Sequence, residues 1–143
     1  MDNKILICIT SVAGAALLIQ IAISEWKILE KAGEKGWKAL IPFYNIFMSH
    51  HIVGMNHAWF ILEMIIWTFE TFVAAFLDFP LWFETAFLIF TTVFTLVSAA
   101  VHANKMCNCF GKGLAFKLGM FFIPYVFPMM LAFGPAEYKK PRH

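Results

Sequence analysis

AWFILEMIIWTFETFVAAFLDFPLWFETAFLIFTTVFTLVSAAV, residues 58–101, decides the fold. Two apolar runs, Ala58–Leu77 and Leu81–Val101, stand on either side of Asp78, Phe79 and Pro80. Each is close to the ~20 residues an α-helix needs to cross the ~30 Å hydrocarbon layer of a bilayer. Asn56 can cap the first run, and Asp78 and Pro80 stop it. A connection as short as Leu77–Pro80 makes the two helices antiparallel neighbours.

Upstream, Ile5–Ile23 has Thr10, Ser11 and Gln20 as its strongly polar members. The run is longer than the ~7–15 residues of a signal-peptide core, so a retained span over 5–23 is expected. Ser11, Gly14, Ala15 and Ala22 give it a small-residue face that another helix can approach. The stretch 24–56 is the most polar of the chain. Gly33 and Gly36 should end any helix continuing from the first span, and Trp26 and Trp37 bracket the charged patch as interface anchors do. Pro42 suits the start of a short helix over 43–53, closed by Gly54, too short to cross and expected at the interface or dipping into the protein. Downstream, the last apolar segment, 114–133, is interrupted by Pro124 and Pro128. It is expected to be a kinked full crossing rather than a re-entrant turn, because little length remains after Pro128 at ~1.5 Å per residue.

Composition agrees with a membrane solvent. Hydrophobic residues make up 61% of the 143, charged residues 14%, and mean hydropathy is +0.73; a soluble domain carries about a quarter charged residues. The expected class is an all-α polytopic membrane helix bundle, one integral membrane domain over 1–143, with about four transmembrane segments and one interfacial helix. A net charge of +2 and the lack of Lys/Arg-rich runs exclude nucleic acid as a partner. Membrane lipid is the expected partner, with another membrane protein or a second copy beside it. Cys8, Cys107 and Cys109 form no disulfide framework. Lys27, Lys31, Lys35 and Lys38 place loop 24–56 in the cytoplasm by the positive-inside rule, and Lys105 and Lys112 agree. Lys139, Lys140 and Arg142 disagree if the last segment crosses fully.

The blocks EKAGEKGWKALIPFYNIFMSHHIVG (30–54) and FGKGLAFKLGMFFIPYVFPMMLAFGPAEY (110–138) resemble those of an uncharacterised family of small bacterial integral membrane proteins. That family shares an Ala-Gly-x-x-Gly-Trp…Ile-Pro-x-Tyr-Asn block and a closing Phe-Gly-x-Gly…Ala-Phe-Gly block. The resemblance implies the membrane fold and a bacterial plasma membrane, and says nothing about activity. Some members carry a signal peptidase I label, but that chemistry needs a nucleophilic Ser with a Lys base. No Ser-Met-x-Pro motif surrounds Ser11, Ser24, Ser49 or Ser98.

The candidate site is an acidic seam inside the bundle. Glu63 and Glu70 share a helical face with Trp59 and Trp67 nearby, and Glu84, Thr91, Thr95, Ser98 and His102 form a stripe down the next helix. Intramembrane acids must face protein or water, so the two faces are expected to meet. The seam serves either as a cation or proton path or as interhelical glue. His50, His51, His57, Cys107 and Cys109 are a weaker metal candidate, since Cys-x-Cys lacks the usual ligand spacing, and no metal or other cofactor is expected. Lys117 is expected to snorkel. No enzyme signature is found. The functional expectation is a small transporter or channel-like protein; the alternative is an accessory or scaffold subunit of a larger membrane complex.

Overall fold

Hydrophobicity falls off after Ile23, but nothing in Ser24–Ala32 breaks a helix. In the computed structural model, which describes the backbone of residues 3–76 and 79–141 and the side chains of 10–72 and 79–141, α1 runs from Asn3 to Lys31. The helix thus outlasts the span expected at 5–23, and Cys8 lies outside the described side chains. A Schellman motif ends it. Gly33 takes the left-handed conformation at φ 83°, its N–H bonds to the Glu30 carbonyl, and the Glu34 N–H reaches the Leu29 carbonyl at 2.9 Å. Gly36 then seats its bare Cα against the Trp26 indole, where a Cβ would clash. A 3₁₀ turn follows over Gly36–Leu40.

The short helix expected at 43–53 is α2, Tyr44–Ile52. It dips into the protein, burying Met48, Ser49, His50 and Ile52. α3 spans His57–Phe76, capped by Asn56, whose Oδ1 accepts from the Ala58 N–H at 3.0 Å. The tight turn expected at Leu77–Pro80 lies partly outside the described residues. α4 spans Leu81–Cys109, so residues 102–109, expected as a loop, belong to the helix. No Gly or Pro interrupts the chain before Gly111, which at φ 63° closes α4 by the same motif as Gly33, Lys112 N–H meeting the Cys107 carbonyl at 2.8 Å.

The largest departure concerns the segment 114–133. It forms two short helices, α5 (Leu114–Phe122) and α6 (Val126–Phe133), separated at Ile123–Tyr125. At ~1.5 Å per residue neither reaches half of ~30 Å. The chain also returns to its starting level: the Lys139 N–H bonds to the Cys109 carbonyl at 2.7 Å, and the Tyr138 hydroxyl donates to the Ile52 carbonyl at 2.6 Å. The segment expected as one kinked crossing is therefore a pair of short helices that brings the chain back to the end of α4, because Pro124 and Pro128 withhold N–H groups where one helix would have to continue. The ends of α1, α2, α4 and α6 gather at one end of the molecule, with Lys139 and Lys140 beside them.

Among the described residues the chain is all-helical, with six α-helices. Two of them, over Thr10–Lys31 and Leu81–Cys109, are long and apolar enough to cross a membrane. α1 and α6 pack side by side and run in the same direction: Gln20 Nε2 donates to the Tyr125 carbonyl at 3.1 Å near the start of α6, and Lys31 Nζ reaches its end. There the ammonium donates to the carbonyls of Leu131 (2.6 Å), Gly134 (2.7 Å) and Ala136 (3.2 Å). A cation at a helix C-terminus satisfies orphan carbonyls and opposes the helix dipole. Between them, Ile28, Leu29, Leu131 and Ala132 are buried.

Lys31→Met keeps the apolar stem and removes the donors. It should lower unfolding stability in detergent by about 2 kcal/mol, the scale of hydrogen bonds to a charged group. Amide exchange across α6 should rise with it; unchanged exchange at residues 131–134 would count against the anchoring role.

Candidate functional site: a polar cavity among four helices

Four helices turn one polar face each toward a cavity of about 320 Å³. The spacing on each helix explains why. On α1, Ile21 and Glu25 lie one turn apart; on α2, Asn45 pairs with Ser49 and Ile46 with His50; on α3, Glu63 stands below Trp67. α4 contributes Thr95, Ser98, Ala99 and His102 at helical spacing. The cavity lies at the level where α1 has outlasted its hydrophobic run.

Within it, the Ser98 hydroxyl donates to Glu63 Oε1 across the α3–α4 seam. The other oxygen, Oε2, lies 3.6 Å from His50 Nε2, an ion-pair separation too long for a hydrogen bond. His50 Nδ1 is 2.8 Å from the Ile46 carbonyl. A carbonyl only accepts, so Nδ1 carries a proton and Nε2 is the nitrogen that gains or loses one facing Glu63. Burial, the strongest influence on His50, disfavours its charged form, but Glu63 and the Ile46 carbonyl outweigh it and hold the imidazole pKa above its ordinary value. His102 packs beside His50, ring centroids 5.3 Å apart, and its Nε2 meets the Ser49 Oγ at 3.0 Å. Glu25 is partly exposed as a residue, yet its carboxyl end is enclosed and Oε2 has no hydrogen-bond partner among the described residues. A second cavity of about 260 Å³, under the Pro124–Pro128 bend, shares Glu25, Ala99 and His102 with the first.

The structure brings together Glu63, Thr95, Ser98 and His102 of the expected seam. Thr91 is buried but bonds the Leu88 carbonyl of its own helix at 3.1 Å. Glu70 is half-buried, Glu84 is exposed in the first turn of α4, and neither lines the cavity. Toward the end of α3 and the start of α4 aromatic rings fill the gap between the two helices, Phe69 against Phe87 at 5.2 Å, so the seam is shorter than its sequence stripe.

The His/Cys candidates scatter. His51 Nδ1 faces His57 Nε2 at 3.4 Å on the surface, Cys107 Sγ lies 3.8 Å from Met120 Sδ, and Cys107 and Cys109 are free and buried. Among the described residues no three of His, Cys, Asp or Glu meet as a metal ion requires. Lys117, expected to snorkel, donates to Asn104 Oδ1 at 2.7 Å. Sequence reasoning missed Glu25, Ser49 and Asn45; continuing the helical period of the first span beyond Ile23 would have put Glu25 on the face of Ile21.

A family model matches residues 37–141. The chain belongs to that family, DUF5684, a family of unknown function. The matched stretch of this DUF5684 chain contains the cavity walls from α2, α3 and α4, while Ile21 and Glu25 precede it. No curated protein and no solved structure matches the chain.

Because the folded pKa of His50 exceeds its unfolded value of about 6.5, its contribution to stability is complete below that pH and is lost as pH rises through the folded pKa. Thermal unfolding of wild type should therefore show a loss of stability above pH ~6.5 that His50→Gln lacks. Parallel curves for the two proteins would contradict the His50–Glu63 pairing.

Proposed function

We propose that this chain is a multi-pass protein of a bacterial plasma membrane that moves a proton or small cation through its polar cavity and catalyses no reaction. The observation that carries the reading is the convergence of Glu25, His50, Glu63 and His102, one from each of four helices, on a single cavity. Ionisable groups within an apolar bundle are expensive and mark ion or substrate paths by default. Three helices cross: α1 and α4 by their length and apolarity, and α3 because only residues 77–80 separate its end from the start of α4. α2 and the α5–α6 pair enter from the end that carries the lysines. With Lys139 and Lys140 at that end, every basic cluster of the described residues obeys the positive-inside rule with loop 24–56 cytoplasmic.

One observation favours the second reading, an accessory subunit. Residues 11–19 of α1 are exposed on every side, so the first half of that helix meets lipid, another membrane protein or a second copy.

The test is flux in reconstituted vesicles. Wild type should dissipate an imposed proton or cation gradient, and Glu63→Gln, which keeps the shape of the side chain and removes its titration, should abolish the flux with the fold intact. Wild-type vesicles no leakier to H⁺, Na⁺ or K⁺ than empty ones would remove the transport reading and leave the accessory one.

A further inference from the structure

We infer that the cavity takes a small organic ammonium ion with an apolar body, its charged head against Glu25; this deepens the transport reading and rests on it. Glu25 lines the cavity, and its enclosed Oε2 is an acceptor that no donor among the described residues reaches. A buried acceptor left without a donor forfeits the hydrogen bonds it made to water, so the site favours an occupant that brings a donor.

Charge decides the sign of that occupant. No Lys or Arg lines the cavity, and two acidic side chains, Glu25 and Glu63, do. His50 faces Glu63, which leaves Glu25 as the acid with no basic group against it, and an ammonium beside it would favour its ionised form. One positive charge completes the balance, and an anion would meet repulsion.

Size and wall chemistry decide the rest. About 320 Å³ is roughly tenfold the ~30 Å³ share of one water and falls in the ~300–1,000 Å³ range of small-molecule pockets. A bare ion would leave most of it unfilled, and the side chains do not converge as metal ligands do. Ile21, Ile46 and Ala99 offer apolar contact, and Trp67 adds an aromatic ring, which attracts cations. The wall groups thus suit an alkyl or aryl body carrying a primary ammonium, whose three N–H donors can serve Glu25 together with neighbouring hydroxyl or amide acceptors such as Asn45.

Calorimetric titration of the full chain in detergent micelles tests this with phenethylammonium and its neutral analogue, phenethyl alcohol. Phenethylammonium should bind saturably and stoichiometrically, while the alcohol should give only the partition heat seen with empty micelles. Glu25→Gln should weaken phenethylammonium binding about tenfold or more with its thermal transition unchanged. Equal binding of the ammonium by wild type and a folded Glu25→Gln variant, equal binding of the alcohol by wild type, or no binding by wild type would each overturn the inference. The wild-type comparison of the two probes decides the matter even where Glu25→Gln does not fold. If proton flux is still lost in Glu63→Gln while phenethylammonium fails to bind, this inference falls and the transport reading stands.

Discussion

The ammonium of Lys31 sits where the last turn of α6 presents carbonyls that no helix hydrogen bond can reach, and the other packing in the molecule follows from that contact. In a bilayer, apolar side chains gain little by leaving lipid for one another, so helix pairs are held by close packing and by polar groups that have no better partner. α5 and α6 are too short to fix themselves by spanning. Lys31 holds the end of α6, and Gln20 holds its beginning through the Tyr125 carbonyl. With α6 laid along α1, the chain after Phe133 returns to the ends of α2 and α4, where Tyr138 and Lys139 bond the Ile52 and Cys109 carbonyls.

The cavity is a consequence of that arrangement. The stretch of α1 that runs on past Ile23 supplies one wall carrying Glu25, and α2, tucked between α1 and α3, carries Ser49 and His50 inward. α3 and α4 bring Glu63 and Ser98 together on the opposite wall. Farther along these two helices aromatic rings separate them, so the polar contact is confined to the end of the bundle that holds the lysines. The tension in this design is between satisfied and unsatisfied groups. Glu63 has Ser98 and His50 about it, whereas Glu25 has an oxygen with no partner among the described residues. A purely structural seam would leave no such oxygen.

What could be read from the chain follows the range of the signals. The boundaries of α3 and the start of α4 were legible because Asn56 and Pro80 act locally and the apolar runs have spanning length. The Glu63–Ser98–His102 grouping was legible because spacings of three, four and seven fix a helical face before any tertiary contact exists. Glu25 was not, since a hydropathy window ends the first span at Ile23 while backbone hydrogen bonding continues until a glycine can turn left-handed at position 33. Nor was the course of residues 114–133. Pro124 and Pro128 permit a kink or a reversal, and the choice rests on Lys31, about a hundred residues away in sequence. His50 stood out as a metal candidate because its type is conspicuous; its pairing with Glu63 depends on how α2 tilts into the bundle, which no local pattern records.

The return of the chain to the end of α4 is the claim on which the rest stands, and a cross-link tests it most directly. With Cys8 and Cys107 replaced by Ser, native Cys109 and a Lys139→Cys substitution should oxidise to an intramolecular disulfide in membranes, read as a linked peptide after proteolysis. Adjacent backbones joined by a hydrogen bond lie within the Cα separations a disulfide accepts, about 4.4–6.8 Å. A full crossing of the last segment would put the two positions on opposite faces of a layer ~30 Å thick. Efficient cross-linking supports the account, and two free thiols under the same oxidant would contradict it.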